Sequence, residues 1–181
     1  MICWAIFSKA LLKKQTISKV FEFQNNEFGT LSSSKLSELV EKAYILQEVK
    51  LDNCKVQGTA LEDFINNIKK GWNLKRIKLT HLGLNQLSVD SIWTILAENT
   101  GLVELDLSWN NLLSNSMLQL MSELEVNKTL KYLNISWNQI KGMNAKINKE
   151  IILKLGNFIT ENKNLVHLDL VSINLQGDDL K

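Results

Sequence analysis

The 181-residue sequence contains no proline, two cysteines and a single arginine among 21 basic residues. Two cysteines, Cys3 and Cys54, cannot form a disulfide framework or a four-ligand zinc site. No apolar run approaches the roughly 20 residues of a membrane-spanning helix. The apolar run at the N-terminus lacks preceding basic residues and is too short for a secretory signal. The sequence therefore predicts a cytoplasmic protein that does not insert into a membrane.

The formal net charge of +2 is close to neutral and implies no strongly charged partner. The one basic cluster, Lys75, Arg76 and Lys78, is flanked by acidic residues, which argues against a nucleic-acid surface. The eight glycines are scattered and form no phosphate-binding loop. The sequence thus predicts no nucleic-acid partner and no cofactor.

One eleven-residue stretch, 102–112, recurs almost intact 28 residues later as 130–140. Apolar residues fall at positions 1, 4, 6 and 11 of this template, and asparagine at position 9. Sliding the template along the chain places position 1 at steps of 28, 28, 28, 28 and 35 residues, on Ser18, Leu46, Leu74, Leu102, Leu130 and Leu165. Four equal intervals are hard to obtain by chance, so the sequence predicts six strand segments of one repeat array.

Apolar residues between the strand segments recur at spacings of three and four, as in Ile92, Trp93, Ile95 and Leu96, which indicates helices. Ser88 and Asp90 suit the cap of that helix. Parallel strands pack about 4.8 Å apart and helices 8–10 Å apart, so the ribbon must curve with its strands inside. Positions 4 and 6 then point into the core, while positions 3, 5 and 7 face the concave side.

This strand–helix repeat resembles the ribonuclease-inhibitor-like class of leucine-rich repeat proteins over essentially the whole chain. That class includes cytosolic inhibitors, the GTPase-activating protein of Ran, innate immune sensors and ciliary scaffold proteins. The resemblance implies an α/β leucine-rich repeat solenoid, with parallel strands on the concave face and helices on the convex face. It also implies that the horseshoe binds proteins, and it adds cilium or cytoskeleton as more specific locations.

We expect one domain, residues 1–181, without a polar capping repeat at either end. The chain opens with an apolar helical stripe, Trp4, Phe7, Leu11 and Leu12, and it stops just after the strand template that closes at Leu175. Each repeat of a solenoid buries its apolar face only against a neighbour. The ends are therefore predicted to be continued by further repeats or covered by neighbouring chains.

At position 9, Asn26, Asn110 and Asn138 can satisfy backbone groups of the loops that would otherwise be buried without partners. Cys54 is a weaker substitute. Leu82 and Ile173 have no polar side-chain atom, so we expect irregular ladders in their two repeats.

Trp109 and Trp137 occupy position 8 of adjacent repeats, so we expect them side by side at the concave rim. Tryptophan is enriched in binding hot spots, which makes this pair the first candidate for partner contact. The alternative is a stack that merely covers the strand ends. Tyr132 and His167 are the next aromatic-type candidates on the same face.

Charged candidates occupy positions 3 and 5 of the strands. Glu48, Arg76 and Glu104 form an alternating row across neighbouring strands, and Lys78 lies beside Asp106. We include Arg76, Lys78, Glu104 and Asp106 among the candidate partner-binding residues. The alternative is a self-neutralising ladder of exposed ion pairs, each worth about 0–1 kcal/mol.

The 35-residue step adds seven residues between Lys141 and Lys149, on the same rim as Trp137. Gly142 and Asn144 are poor helix formers, which favours a loop, and loops of this kind often lie at binding faces. The alternative is a helix that is two turns longer.

Catalysis finds little support in the sequence. Cys54 and His81 lie close together, but we expect them to face opposite ways, which disfavours a nucleophilic pair. The cysteines and histidines are dispersed, so we predict no metal site. Glu104 and Asp106 lie on an open face, which offers no desolvated pocket that would shift their pKa values for catalysis. We therefore predict a non-enzymatic protein-binding module that uses the concave face and the strand-to-helix rim. The alternatives are a building block of a large ciliary or cytoskeletal assembly and, less favoured, a regulator of a small GTPase.

Overall fold

The computed structural model describes residues 19–28, 30–43, 45–56, 59–69, 73–98, 101–139, 142 and 144–174. The predicted N-terminal stripe, the strand position at Ser18 and the segment from Leu175 onward lie outside these residues. The expectations about uncapped ends and a single domain spanning the whole chain therefore stay predictions.

Short strands alternate with helices along the chain. The strands are β1 Val20–Gln24, β2 Glu27–Phe28, β3 Glu48–Asp52, β4 Lys55–Val56, β5 Arg76–Thr80, β6 Glu104–Asp106, β7 Tyr132–Asn134 and β8 His167–Asp169. The helices are α1 Thr30–Lys42, α2 Ala60–Lys69, α3 Gln86–Glu98, α4 Ser114–Val126 and α5 Ala145–Glu161. A helix follows each of the first five strand templates, which gives the predicted strand–helix repeat.

Six of the described strands form one parallel sheet in the order β1-β3-β5-β6-β7-β8. The register pairs equal template positions; position 3 runs through Val20, Glu48, Arg76, Glu104, Tyr132 and His167. The predicted steps of 28 and 35 residues are therefore the steps of the sheet. Strands β2 and β4 pair separately, also in parallel, just beyond the first two strands of the main sheet.

The core lies between the sheet and the helices. Positions 4 and 6 are at most 1% exposed in the inner strands; they are Val49, Leu51, Ile77, Leu79, Leu105, Leu107, Leu133 and Ile135. The predicted stripe of α3 is buried against them, and Trp93 is its largest member. Full burial of a side chain of this size contributes about 1.5–3 kcal/mol, so these two layers supply most of the stability.

The position-9 asparagines are buried where two repeats flank them. The Asn110 amide nitrogen lies 2.6 Å from the Leu79 carbonyl oxygen and 2.9 Å from that of Leu107, and its oxygen accepts from the Leu82 N–H at 2.9 Å. Asn138 repeats the arrangement one step along, with its nitrogen 2.9 Å from the Leu107 carbonyl oxygen. Each side chain thus satisfies backbone groups of its own repeat and of the preceding one, as predicted.

The other position-9 residues behave differently. The Cys54 thiol lies 3.4 Å from the carbonyl oxygens of Phe23 and Asp52, so it is a weaker bridge. Asn26 was predicted to satisfy loop backbone groups in the same way. It is exposed on β1's side of the sheet, and within the described residues its amide nitrogen donates to the Gln24 carbonyl of its own repeat. At Leu82 and Ile173 the side chain supplies no bridge, yet the strand register and the backbone at position 8 continue unchanged.

A second row of asparagines lies at the opposite rim, where helices lead into strands, and the sequence reasoning missed it. The Asn127 oxygen accepts from the Leu130 N–H at 2.9 Å, and its nitrogen donates to the Leu96 carbonyl. Asn162 makes the equivalent bond to the Leu165 N–H at 3.0 Å. Both asparagines stand three residues before position 1, and that regularity is the signal that could have identified them.

Helix starts needed two corrections. The α3 cap is Asn85, whose oxygen accepts from the Ser88 N–H at 2.9 Å, so Ser88 and Asp90 lie within the first turns. The seven extra residues divide between loop and helix. Helix α5 begins three template positions later than α3 and α4 and has 17 residues where they have 13, so three of the extra residues precede the helix and four lengthen it. Asn144 caps α5, so neither a pure loop nor two extra turns is right.

Candidate functional site

The backbone turns in the same way at position 8 of all six repeats. Each of these residues has a positive φ between 48° and 61°; they are Asn25, Asn53, His81, Trp109, Trp137 and Ser172. This left-handed conformation lifts the chain out of the sheet and turns the side chain toward solvent at the rim, and all six residues are exposed. Position 8 is therefore a display position set by the repeat.

Residue type decides what this conformation costs. Asparagine enters the left-handed region readily, whereas other L-residues lose roughly 1–2 kcal/mol there. Asn25 and Asn53 fit easily and are joined by a 2.7 Å hydrogen bond from the Asn53 amide nitrogen to the Asn25 oxygen. Trp109 and Trp137 hold the same conformation without that advantage, so contacts of their rings must offset the cost.

Those contacts form an aromatic stack of three rings: His81, Trp109 and Trp137. The two tryptophan ring centroids are 4.0 Å apart with an interplanar angle of 12°, and those of His81 and Trp109 are 4.9 Å apart at 16°. Each tryptophan remains 44% exposed. The predicted adjacency of the tryptophans is confirmed. The sequence reasoning overlooked His81, although its position-8 register places it beside Trp109.

A hydrogen bond orients the first ring of the stack. The His81 Nδ1 atom lies 3.0 Å from Asp52 Oδ1, which also accepts from the Thr80 hydroxyl at 2.7 Å. Asp52 belongs to the neighbouring strand β3 and lies on the concave face. The stack is thus tied to the charged side chains of that face.

The N-terminal half of the concave face, on β1, β3 and β5, is ion-paired. The Arg76 Nε atom lies 2.8 Å from Glu48 Oε2, and the Lys50 ammonium lies 3.1 Å from Glu48 Oε1 and 3.2 Å from Glu22 Oε2. Glu48 is only 7% exposed, so it sits between its two cations. Arg76, a predicted contact residue, is therefore engaged within the protein itself.

The ion pairs of Lys78 and Glu104 correct the predicted pattern. Register places Arg76 opposite Glu104 and Lys78 opposite Asp106, but Lys78 reaches diagonally to Glu104 at 2.6 Å. The Asp106 carboxylate instead accepts from the N–H and the hydroxyl of Ser108, at 3.0 and 2.7 Å. A long lysine side chain can cross to the diagonal neighbour. Asp106 consequently has no cationic partner among the described residues.

The C-terminal half of the concave face, on β6, β7 and β8, contains a depression of about 290 Å³. Five of the eight predicted contact residues line it, namely Lys78, Glu104, Asp106, Tyr132 and His167, together with Leu105, Leu133 and Asn134. The Tyr132 and His167 ring centroids are 6.1 Å apart, and Tyr132 is 42% exposed. The register thus gathers these residues, while Trp109 and Trp137 lie at the rim and Arg76 lies outside the depression.

The charged groups of the N-terminal half have shifted pKa values. Partial burial raises the pKa of Glu48, but hydrogen bonds from Arg76 and Lys50 outweigh it and hold the pKa below its ordinary value of 4.5. Hydrogen bonds to its carboxylate neighbours raise the pKa of Lys50 above 10.5. Burial likewise raises the pKa of Asp52, but bonds from Thr80 and other side chains bring it below 3.8. Glu48 and Asp52 are therefore held in their charged forms.

The residues considered for catalysis are separated by orientation. Cys54 points into the core, where burial raises the pKa of its thiol, while His81 faces outward in the aromatic stack. Within the described ranges, no group of three histidine, cysteine or acidic side chains could hold a metal ion.

A larger depression, about 380 Å³, lies on the helix side between α4 and α5 and contains none of the predicted contact residues. No helix in the described part of the chain is long and apolar enough to cross a membrane.

Comparisons with known proteins support the repeat architecture. A family profile described as Leucine Rich repeat matches residues 98–116 and 126–142. The actin-binding site 2 domain of leiomodin-1 superposes with a TM-score of 0.63 at 21% identity, covering 81% of this chain and 82% of that one. The tropomodulin C-terminal domain of Caenorhabditis elegans is 15% identical, with a TM-score of 0.48 and coverage of 85% and 94%.

A search of the curated proteins gives no match. The comparisons do not test the ribonuclease-inhibitor-like class, which stays a prediction. The parallel sheet backed by helices, the repeat profile and the leiomodin-1 likeness agree on the architecture. The chain is an α/β leucine-rich repeat solenoid.

Proposed function

We propose that the chain is a non-enzymatic protein-binding module that holds a partner protein across its concave face and the adjoining strand-to-helix rim. The observation that carries the proposal is the aromatic stack. Two tryptophans, each 44% exposed, stand side by side in a backbone conformation unfavourable for them. Exposed, rigid aromatic side chains are typical anchors of protein interfaces.

The alternative that the stack merely covers the strand ends is less well supported. Asparagine fills position 8 in the first two described repeats, and the strands there end in the same left-handed turn with no aromatic ring at that position. Covering the ends therefore does not require tryptophan. A ridge of three rings beside the polar face gives a partner an apolar anchor next to specific polar contacts, which is the usual layout of an interface.

The test replaces both tryptophans by asparagine. Trp109→Asn/Trp137→Asn removes the rings while keeping a residue type that this backbone position already accepts, so the fold is retained. Loss of a hot-spot tryptophan costs at least about 2 kcal/mol, or roughly 30-fold in affinity. Capture of partners from an extract of the native source, quantified by mass spectrometry, should fall accordingly for the double variant.

The control is Leu153→Ala, because Leu153 is 64% exposed on α5, away from the rim. It should leave capture unchanged. Purified actin belongs among the probes, since the leiomodin-1 domain is described as an actin-binding site. Equal capture by the wild type and the double asparagine variant would rule out the rim as the binding site.

The other two predicted functions remain predictions. A building block of a large assembly should sediment as a concentration-dependent oligomer. A regulator of a small GTPase should change the rate of GTP hydrolysis when added to the GTPase. The cytoplasmic, ciliary or cytoskeletal location is also a prediction, tested by imaging the tagged protein.

A further inference from the structure

The two halves of the concave face differ in their charge balance. At positions 3, 5 and 7 the N-terminal half carries three carboxylates, on Glu22, Glu48 and Asp52, and three cations, on Lys50, Arg76 and Lys78. At the same positions the C-terminal half carries three carboxylates, on Glu104, Asp106 and Asp169, and no lysine or arginine. The excess of negative charge on this face is therefore confined to its C-terminal half.

Only one of those three carboxylates is neutralised by a described residue. Lys78 reaches across from β5 to Glu104. Asp106 accepts from Ser108, and Asp169 accepts from the Ser136 hydroxyl at 2.8 Å, but neither has a cationic partner in the described part of the chain. Lys131, which directly precedes Tyr132 and β7, lies at the opposite end of the strand from the aromatic stack. Asp106 lines the depression together with Tyr132, and Asp169 pairs in register with Asn134, another lining residue, from the neighbouring strand β8.

We infer that the C-terminal half of the concave face binds a basic segment of a protein partner, with one Lys or Arg side chain entering the depression beside Tyr132. The inference rests on the proposed function and names the chemistry of its partner. A cation over a tyrosine ring and beside a carboxylate gains from both groups, and a guanidinium suits them especially well. The depression lies just below the roughly 300–1,000 Å³ of small-molecule pockets, so it fits one side chain.

Charge complementarity selects this occupant over others. An acidic segment would meet Asp106 and Asp169, and the one lysine that lines the depression, Lys78, is already paired with Glu104. Like charges brought together disfavour binding. The whole chain is slightly basic, with a net charge of +2, so attraction of a cation to this face is a local property of the surface. The aromatic stack continues the same surface along the rim and would contact apolar side chains that flank the cation.

The test is a selection of random peptides displayed on phage against the intact immobilised chain, followed by anisotropy measurements on the enriched peptides. Five proteins are compared: the wild type, Asp106→Asn/Asp169→Asn, Tyr132→Leu, Trp109→Asn/Trp137→Asn, and a control, Asp63→Asn/Glu150→Gln, that changes the net charge equally at exposed positions of the helices. Asparagine is structurally acceptable at these strand positions. Asn134 holds the same position in β7, and its oxygen accepts from the Ser136 N–H as Asp106 does from Ser108.

We expect the enriched peptides to carry lysine or arginine in excess of acidic residues. Their affinity should fall about tenfold for Asp106→Asn/Asp169→Asn and by less than about twofold for the control. Raising the salt concentration from about 50 to 500 mM should also weaken binding to the wild type. Tyr132→Leu, which keeps an apolar side chain but removes the ring that a cation would contact, should also weaken the enriched basic peptides.

Several outcomes would overturn the inference: enriched peptides that are acidic or uncharged, no enriched peptide, or equal effects of Asp106→Asn/Asp169→Asn and of the charge control. Peptides lost only with Trp109→Asn/Trp137→Asn would overturn it and leave the proposed function intact. Failure of the proposed function has a separate signature, since partner capture would then survive the loss of both tryptophans.

Discussion

At the scale of single residues, asparagine connects one repeat to the next. Asn110 and Asn138 each bond backbone groups in two repeats while being only 2% exposed. The backbone N–H and C=O groups of this turn point inward and need hydrogen-bond partners. A buried amide supplies both a donor and an acceptor to them, whereas an apolar side chain supplies neither. Neighbouring repeats are thereby joined at the strand ends as well as by the strands themselves.

We predict that Asn110→Ala lowers the free energy of unfolding by about 2–4 kcal/mol, because it leaves the Leu82 N–H and buried carbonyls without partners. Urea denaturation followed by circular dichroism measures the change. Asn26→Ala is the matched control, since Asn26 holds the same template position but is exposed. It should cost below about 0.5 kcal/mol. Equal losses for the two variants would contradict the bridging role of Asn110.

The sequence predicted these residues unequally well. Asn110 and Asn138 recur at a fixed position and have a chemical role there, so the repeat identifies them. The left-handed backbone of Trp109 could not be foreseen from tryptophan, which has no preference for that region. Only alignment with Asn25 and Asn53, which do have it, hints at the conformation.

At the scale of elements, glycine is favoured in one of the turns and disfavoured in one of the helices. Gly83 follows β5 with φ +61°, and a Cβ there would meet nothing within 4 Å. Gly156 lies inside α5, and a Cβ there would also meet nothing within 4 Å. Sterically the two sites are equivalent, and they differ only in backbone conformation.

We therefore predict effects of opposite sign from one chemical change. Gly83→Ala should destabilise by about 1 kcal/mol, because alanine is strained at positive φ. Gly156→Ala should stabilise by about 0.5–1 kcal/mol, because glycine is a poor helix former. Thermal unfolding of the two variants gives the comparison. A stabilised Gly83→Ala protein would contradict the turn geometry described for the rim.

Strands were more predictable than helix boundaries. A strand position follows from counting 28 residues, whereas a helix begins where a side chain can cap it, as Asn85 does for α3. The seven-residue insertion shows the same difference. Counting residues locates the insertion. Where the helix begins depends on Asn144, whose side-chain oxygen accepts from the Lys146 and Ile147 N–H groups and caps α5, so three of the extra residues precede the helix and four lengthen it.

At the scale of the whole molecule, the ion-paired half of the sheet links stability to pH. Glu48 and Asp52 have pKa values below 4.5 and 3.8 in the folded protein. In acid the unfolded chain therefore takes up protons more readily than the folded protein. The stability that these carboxylates contribute is present above about pH 5 and is lost as pH falls through their folded pKa values.

We predict that the free energy of unfolding falls between about pH 5 and pH 3, and that Glu48→Gln/Asp52→Asn reduces this slope. Denaturation by urea at a series of pH values measures it. Glu27→Gln, at an exposed carboxyl of β2 that forms no ion pair with a described residue, serves as the control. A slope unchanged by the double substitution would mean that other groups dominate acid unfolding.

The surface of the molecule was less predictable than its core. The strand register predicted which concave side chains are neighbours. It did not predict that Lys78 forms its ion pair with the diagonal Glu104 and not with the adjacent Asp106. Packing volume and the repeat pattern determine where core side chains lie. A long charged side chain on the surface can pair with any of several neighbours, because exposed ion pairs differ little in energy. The lack of a cationic partner for Asp106 among the described residues follows from the Lys78–Glu104 pair and could not be read from spacing.

The uniform turn at position 8 also gives every described repeat an equivalent site at which a side chain can be exchanged. Since one backbone geometry accepts asparagine, histidine, tryptophan and serine, side chains can be exchanged between repeats without redesigning the loops. Moving the indole pair to positions 25 and 53 would shift it along the array by three repeats, a distance of about 14 Å at the strand spacing. The binding site proposed at the aromatic stack could thus be moved to a chosen repeat, and the repeat number would give its position along the array.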